Sequence, residues 1–291
     1  MKINAYILAA DPAWIPASIG SYYDIVERIV VTYDQNYTSW VGNKIDLEPV
    51  LEVLKKCDPH NKIEFRSGDF ARLGEGFTPM QNETAQRQVA LEWASEGADW
   101  VLQLDGDEVL PDNQGLIKVL QQIPDSVDGV EWPMRVLYAQ VDESKFLEVC
   151  NTDKRSRFEY PGPIVVRPNV KFENARRVTS RYERVKVVGD TSSIQIQQNP
   201  GPLESRTQEI REEQAVIHFS WVRPRVEMRT KLNNWGHCSK SYKAKLSYLR
   251  WVSAPHLWRF YRDFHPFAHG LWPRLRLATI EWKKFCQLKN S

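Results

Sequence analysis

Residues 100–110 read Trp-Val-Leu-Gln-Leu-Asp-Gly-Asp-Glu-Val-Leu, a largely apolar run that ends in Asp105, Asp107 and Glu108. The run has the length of a buried β-strand, and its acidic end falls where such a strand reaches solvent. Carboxylates packed this closely repel one another unless a cation lies among them, and the hard ions Mg²⁺ and Mn²⁺ prefer oxygen ligands. The segment therefore predicts a strand with a metal site at its carboxyl end. The alternative is an acidic turn whose charges face water.

Strand and helix patterns alternate through the first part of the chain. Predicted strands span residues 4–10, 28–33, 62–66 and a stretch from 100 onward, and predicted helices span 14–23, 47–56, 78–96 and 112–122. The clearest helix start is Thr78-Pro79-Met80-Gln81, because Thr caps well, Pro suits the first helical position and Gln completes a capping box. This α/β alternation predicts a mainly parallel central sheet flanked by helices, with ligands bound at the carboxyl ends of its strands. Asp34 follows the second strand and should lie at that same edge.

The pattern changes after Gly129. Isolated strands are predicted at residues 130–138, 164–167, 185–188 and 216–219, separated by polar loops. This half of the chain is typical of a mixed sheet that carries long substrate-binding loops.

The composition narrows the classes of protein. The chain has 291 residues, 42% hydrophobic and 26% charged, which suits one large domain plus an appendage. No apolar stretch approaches the roughly 18 residues of a membrane-spanning helix, and the apolar start is too short for a signal peptide, so we predict a cytoplasmic protein. The four cysteines are widely separated, which favours reduced thiols over disulfides or a zinc site. A formal net charge of +2 gives no reason to expect nucleic acid as a partner.

Other phosphate-binding patterns fit less well. The turn after the first strand lacks Gly-x-Gly-x-x-Gly, and no Gly-Lys-Ser/Thr occurs, which disfavours dinucleotide and P-loop folds. Residues 105–109 match the Asp-x-Asp-x-Thr/Val signature of haloacid-dehalogenase phosphatases, in which Asp105 would be the nucleophile and Asp107 the acid/base. In those enzymes the signature strand normally opens the domain and an acidic pair follows downstream, and neither feature is present here.

The ordered set of features resembles the family 2 glycosyltransferases of the GT-A fold over about residues 3–222. The resemblance is carried by the opening strand and helix, the strand ending in Asp34, the helix motif Gln86-Arg87-Gln-Val-Ala-Leu-Glu-Trp-Ala, the acidic segment itself, and Val216-Ile-His-Phe-Ser-Trp. The acidic segment and the Arg-x-x-Ala-Leu helix look most like the bacterial branch that modifies lipopolysaccharide cores and other surface glycans. The resemblance implies a GT-A domain over residues 1–224 and a helical, basic and aromatic extension over 225–291.

The resemblance also implies an activity: metal-dependent, inverting transfer of a sugar from a nucleotide-diphosphate sugar to a glycan or lipid-linked glycan. Asp107 would be the first ligand of Mn²⁺ or Mg²⁺, with Asp105 and His218 as further ligands and His237 as a weaker candidate. The nucleotide sugar would contact Ala9, Asp34, Arg87, Asp105 and Gly106.

An inverting displacement needs a carboxylate to deprotonate the acceptor hydroxyl, and the resemblance points to Glu173 or Glu183. Each site residue has a plainer alternative. Asp34 would shape a turn, Arg87 would be a solvated helix residue, His218 would be a core residue, and both glutamates would be ion-paired at the surface.

Two basic regions suggest partners. Residues 171–186 carry six Lys or Arg against two Glu, which favours an anionic acceptor or else a solvated charged loop. Residues 250–291 carry eight Lys or Arg, two acidic residues and nine aromatics, and prolines divide the segment into short pieces. This tail would either dock peripherally on the anionic inner face of a membrane or form a helical appendage packed over the catalytic domain or at a dimer contact. A non-catalytic carbohydrate-binding or membrane-surface protein is the second class of function that the sequence allows.

Overall fold

A computed structural model describes residues 1–234, 242–260 and 274–287 of the chain. Its helices, in chain order, are α1 (Ile15–Tyr22), α2 (Glu48–Lys56), α3 (Pro79–Ala94), α4 (Asn113–Gln122), α5 (Ile194–Gln197), α6 (Arg225–Asn234) and α7 (Tyr242–Leu257). Its first strands are β1 (Ile3–Leu8), β2 (Ile29–Asp34), β3 (Ile63–Gly68), β4 (Trp100–Leu102), β5 (Glu108–Val109), β6 (Gly129–Glu131), β7 (Met134–Gln140), β8 (Lys145–Val149) and β9 (Phe158–Glu159). The later strands are β10 (Val165–Val166), β11 (Phe172–Asn174), β12 (Arg177–Val178), β13 (Tyr182–Arg184), β14 (Lys186–Val187), β15 (Glu204–Ser205), β16 (Glu209–Ile210), β17 (Val216–His218) and β18 (Leu275–Thr279).

The central sheet confirms the predicted α/β class. Within the described residues it has eight strands in the order β15-β13-β6-β10-β4-β1-β2-β3, and only β10 runs antiparallel to its neighbours. A mainly parallel sheet of this kind requires helices on both faces, because parallel strands are joined by crossover connections. The helices that the sequence patterns predicted in the first half supply that cover.

The residues of β1 show why this strand is apolar apart from Asn4, whose side chain donates to the Ala94 carbonyl at 2.8 Å. Ile3, Ala5 and Ile7 pack in the cluster that contains residues of α1, α2 and α4, whereas Tyr6 and Leu8 pack in the cluster beneath α3. Successive side chains of a strand point to opposite faces, so a strand covered on both sides has no polar face.

Helix α3 begins as the sequence predicts. The Gln81 backbone N–H donates to the Thr78 hydroxyl at 3.3 Å, and the Thr78 N–H donates to the Gln81 side-chain carbonyl at 2.8 Å. This capping box fixes the start of the helix that carries Arg87 toward the acidic segment.

A second sheet meets the central sheet at the acidic segment. Across the described part of the chain it has six strands in the order β18-β8-β7-β17-β5, with β9 paired to β7. Strand β4 ends at Leu102 in the central sheet, and after a turn β5 begins at Glu108 in the second sheet. The turn at residues 105–107 therefore lies at the junction of the two sheets.

The strand predicted at residues 130–138 is divided between the two sheets. Strand β6 ends at Glu131 in the central sheet and β7 starts at Met134 in the second sheet. Pro133 lies between them, and because proline lacks a backbone N–H it favours a break in strand pairing. The prediction of one continuous strand here was wrong.

The C-terminal extension is helical at first and then returns to the second sheet. Helices α6 and α7 are followed by β18, which pairs antiparallel with β8 from Leu275↔Val149 to Thr279↔Lys145. Buried Glu148 of β8 links this strand to both of its neighbours. Its carboxylate accepts hydrogen bonds from Arg135 of β7 at 2.8 Å and from Arg276 of β18 at 3.0 Å. Residues 261–273 of the predicted basic and aromatic tail lie outside the described residues, as does His237. Among the residues described, no helix combines the length and apolar character needed to cross a bilayer.

Candidate functional site

The acidic turn is held in place by α1 and β17. The Ser18 hydroxyl of α1 donates to the Asp105 carbonyl at 3.1 Å, and the Phe219 N–H donates to the Asp107 carbonyl at 2.8 Å. Gly106 packs so tightly that a Cβ there would lie 3.1 Å from Ile15. A glycine between the two aspartates therefore lets the turn approach α1.

Two arginines hold Asp105. Arg87 of α3 spans both of its carboxylate oxygens at 3.0 and 3.1 Å, and Arg176 reaches it at 2.7 Å. Burial raises the pKa of Asp105, but the positive charges of Arg87 and Arg176 outweigh burial, so the net pKa is lowered. Asp105 is thus a carboxylate fixed by ion pairs, and Arg87 is a buried partner of the turn instead of a solvated helix residue.

Glu108, which follows the turn, is bonded both to the turn and to Arg176. It is only 1% exposed, accepts a hydrogen bond from the Asp105 N–H at 3.0 Å, and pairs with Arg176 at 2.8 and 2.9 Å. Arg176 arrives from the β11–β12 hairpin and is itself 4% exposed. Its guanidinium pairs with Asp105 and Glu108. The expectation that Arg176 adds positive charge to a loop that binds an anionic acceptor was therefore wrong for this residue. Arg184 is likewise occupied, by Glu131 and Glu204.

Asp107 lies among three positive or protonatable groups. His218 Nε2 lies 3.6 Å from its Oδ1, Lys231 Nζ lies 3.7 Å from its Oδ2, and Arg223 pairs with both Asp107 and Asp11. Burial lowers the pKa of His218, but the Asp107 charge outweighs burial and raises the pKa overall. Burial lowers the pKa of Lys231 to about 8 and that of Arg223 to about 10. The cluster therefore holds three basic side chains next to one carboxylate.

The donor set fits a divalent ion in part. Within the described residues, no group of three or more His, Cys, Asp or Glu side chains converges as a ready-made metal cage. Asp107 and His218 do converge, at the 3.6 Å noted above. An ion about 2.1 Å from two ligand atoms holds those atoms about 3.0–3.6 Å apart when they are neighbours in its coordination sphere. Mg²⁺ and Mn²⁺ often bind through one or two protein groups plus phosphates and waters, and a metal site anchored by this pair stays a prediction.

Asp34 and Ala9 lie at the ends of the neighbouring strands. The Asp34 carboxylate accepts hydrogen bonds from the backbone N–H groups of Asn36, Thr38 and Phe70 at 2.9–3.1 Å. This network gives Asp34 the turn-shaping role that was its alternative, and contact with a nucleotide base stays a prediction. Ala9 follows β1, with its N–H donating to the Thr32 carbonyl at 3.0 Å. The expected nucleotide-binding residues thus gather at the carboxyl ends of β4, β1 and β2.

The two candidate bases lie in different settings. Glu183 of β13 is 2% exposed, and its carboxylate accepts hydrogen bonds from Ser205, from the hydroxyl and N–H of Thr207, and from the Gln208 N–H at 2.8 Å. A carboxylate this fully engaged holds a loop in place and is poorly suited to receive a substrate proton. Glu173 is exposed on the β11–β12 hairpin, the element that delivers Arg176 to the acidic turn.

Glu183→Gln should therefore destabilise the protein by roughly 2–3 kcal/mol, because the Thr207 and Gln208 N–H groups that both donate to Oε1 would exchange charge-assisted hydrogen bonds for weaker bonds to a neutral amide. Thermal unfolding measures the change, and turnover per folded molecule should stay within about two-fold of wild type. Glu209→Gln is the matched control, since that carboxylate is 50% exposed in its pair with Lys186 and should change stability by less than about 1 kcal/mol. Unchanged stability combined with lost turnover would restore Glu183 as the base.

Sequence reasoning missed Arg223 and Lys231. Both lie on or next to α6, and no local pattern distinguishes them from other basic residues of that segment. Their role emerges only from contacts with Asp107, which lies 116 residues before Arg223 in the chain.

No protein-family model and no curated protein matches the chain. Among solved structures, S. aureus TarS 1–349 is similar at 13% identity over 92% of this chain and 74% of that one, with a TM-score of 0.39. The galactosyltransferase LgtC in complex with donor and acceptor sugar analogs is similar at 12% identity over 89% of this chain and 99% of that one, with a TM-score of 0.39. The synthase of 4-diphosphocytidyl-2C-methyl-D-erythritol from Anaerococcus prevotii matches at 11% identity over 57% of this chain and 70% of that one, with a TM-score of 0.32. At these identities and TM-scores the matches assign no activity to this chain.

Proposed function

We propose that this chain is a glycosyltransferase that uses a nucleotide-diphosphate sugar. The observation that carries the proposal is the convergence of Asp107 and His218 with Arg223 and Lys231 at the carboxyl end of the central sheet. A departing nucleoside diphosphate is a dianion or trianion, and two basic side chains beside an anchor for a divalent ion are the groups that stabilise such a leaving group.

In this proposal the residues in and around the acidic turn have separate roles. Asp107 and His218 would hold Mn²⁺ or Mg²⁺, which when bound would neutralise charge on the diphosphate. Arg87 and Arg176 fix Asp105 through the ion pairs described above, so the turn keeps its shape when the donor arrives. Lys231, which donates to the Ser220 carbonyl at 2.7 Å, would donate to a diphosphate oxygen.

We further propose an inverting displacement. The acceptor hydroxyl oxygen forms the new bond to the anomeric carbon as the bond to the diphosphate breaks, and the hydroxyl proton passes to a carboxylate. Because Glu183 is engaged in its loop, Glu173 on the exposed hairpin is the remaining candidate base. The acceptor would be a glycan or lipid-linked glycan, and docking of the tail on an anionic membrane stays a prediction.

The phosphatase alternative is disfavoured by the same geometry. Its nucleophile would be Asp105, and both oxygens of that carboxylate are paired with arginine. A nucleophile held by two guanidinium groups has little free electron density to attack phosphorus. The non-catalytic alternative predicts that no nucleotide binds in a metal-dependent way.

Calorimetry with UDP and GDP, each with and without Mn²⁺, tests the proposal. We expect one nucleotide to bind at least about ten-fold more tightly with Mn²⁺, since the ion joins the diphosphate to the protein. His218→Ala should remove that enhancement, whereas the control His60→Ala, which alters an exposed histidine, should keep it. Absence of nucleotide binding under every condition would contradict the transferase. Tight nucleotide binding that does not depend on Mn²⁺ would support the transferase function and contradict the proposed metal site.

A further inference from the structure

A cavity of about 540 Å³ lies beside the candidate site and has no role in the function proposed so far. Its walls come from the end of β7, the loop after β17, helix α7 and the residues that precede α1. Four tryptophans line it: Trp14, Trp221, Trp251 and Trp282. The volume lies within the range of roughly 300–1,000 Å³ that is usual for ligand pockets.

The indole rings form a rigid surface. Trp14 Nε1 donates to the Val222 carbonyl at 2.6 Å, and Trp251 Nε1 donates to the Trp221 carbonyl at 2.7 Å. Trp14 also stacks on Phe219, with ring centroids 3.9 Å apart. Trp14 and Trp251 are buried and their polar edges are satisfied within the protein, so the half-buried Trp221 and Trp282 supply most of the apolar ring surface that the cavity presents. Such surface suits the C–H face of a pyranose.

The charged lining of the cavity has one sign. Among the described residues, its ionisable lining consists of Arg223, Arg225 and His256, and no Asp or Glu contributes. Arg225 and His256 are exposed, so a guanidinium charge and an imidazole N–H are available to a ligand. An anionic group entering the cavity would therefore be attracted by Arg225, whereas the charge of Arg223 is shared with Asp11 and Asp107.

Arg223 connects the cavity to the acidic turn. The same side chain that lines the cavity pairs with Asp107. A ligand in the cavity therefore lies within one arginine side chain of the residues proposed to hold the donor diphosphate. That is where the second substrate of a transfer reaction has to be bound.

We propose that this cavity is the acceptor subsite and that it takes a sugar unit carrying a negative charge, either a carboxylate or a phosphate, stacked on the tryptophan surface. This inference rests on the proposed glycosyltransferase function and names the class of its acceptor. Arg225 at the start of α6 would be the residue that selects the anionic sugar, because it lines the cavity and is exposed.

Matched pairs of sugars test the proposal on the full chain in the presence of UDP and Mn²⁺. The probes are methyl β-glucuronide against methyl β-glucoside, methyl β-galacturonide against methyl β-galactoside, and glucose 6-phosphate against glucose. Saturation-transfer NMR and tryptophan fluorescence report binding. We expect the anionic member of at least one pair to bind roughly five-fold more tightly than its neutral partner.

Arg225→Ala should remove this preference, and Arg225→Lys should keep part of it because the charge remains. Arg229→Ala is the matched control, since Arg229 lies one turn further along α6, outside the cavity lining, and donates to Tyr248 at 3.1 Å. Thermal unfolding of the three variants checks that each is folded. Equal binding of neutral and anionic sugars, equal behaviour of Arg225→Ala and Arg229→Ala, or selective uptake of an alkyl probe such as n-octanol would each overturn the assignment.

The outcome is separable from that of the proposed function. If metal-dependent nucleotide binding holds and no anionic sugar is preferred, the acceptor assignment falls and the transferase stands. If an anionic sugar binds in the cavity and nucleotides do not bind at all, the acceptor assignment also falls, because the cavity then belongs to a carbohydrate-binding protein.

Discussion

Asp107→Ala should lower sugar transfer and donor hydrolysis by on the order of 10²–10³-fold. Asp107 is the residue on which His218, Arg223 and Lys231 converge, so its loss removes the anchor of the divalent ion and frees two cations to collapse on other acidic groups. Release of UDP or GDP from a panel of nucleotide sugars measures the effect without knowledge of the acceptor.

Asp125→Ala is the control, because that carboxylate is fully exposed in a 3.4 Å pair with Arg167 and lies away from the turn. Asp107→Asn keeps the shape of the side chain and separates charge from packing. A folded Asp107→Ala protein that hydrolyses its donor at the wild-type rate would eliminate the function proposed for this cluster.

Arg176→Ala should have the largest effect on stability, a loss of roughly 3–5 kcal/mol. Its guanidinium is the side-chain partner of Glu108, which is 1% exposed, and it also pairs with Asp105. Without it, a negative charge stays buried at the junction of the two sheets with no cation bonded to it. Urea denaturation monitored by tryptophan fluorescence measures the change in the free energy of unfolding.

Arg177→Ala supplies the comparison for this second prediction. The neighbouring arginine is exposed on the same hairpin and should alter stability by no more than about 0.5 kcal/mol. The double variant Arg176→Met with Glu108→Leu should recover much of the loss, since both charges are then removed together. Equal stabilities of Arg176→Ala and Arg177→Ala would show that the buried ion pair does not contribute to the free energy of unfolding.

The part of the fold that local patterns control was predictable. The mostly apolar β1, the Thr78 capping box and the Asp112 cap of α4 each follow from interactions within a few residues, and the structure contains all three. The mainly parallel central sheet follows from the alternation of strand and helix patterns in the first part of the chain. The acidic turn was recognisable because a strand pattern and its charged end are adjacent in the sequence.

The rest of the site depends on contacts between distant segments. Arg176 lies 68 residues from Glu108 along the chain, and Arg223 lies 116 residues from Asp107. No periodicity links such pairs, so the sequence could indicate neither the cations around Asp107 nor the fact that Arg176 is withdrawn from solvent. The same reason explains Glu183, whose partners at residues 205–208 come from a loop that has no recognisable pattern.

The pairing of β18 with β8 limits how the chain can be shortened. Any version that stops before Leu275 leaves β8 with an unpaired row of amide and carbonyl groups, and leaves Glu148 without the Arg276 guanidinium. An open strand of this kind is a template for another molecule, so self-association is the outcome to expect from such truncations. In a truncated protein, aggregation could not be distinguished from a loss of membrane affinity. Single substitutions are therefore the better way to test whether the tail binds a membrane.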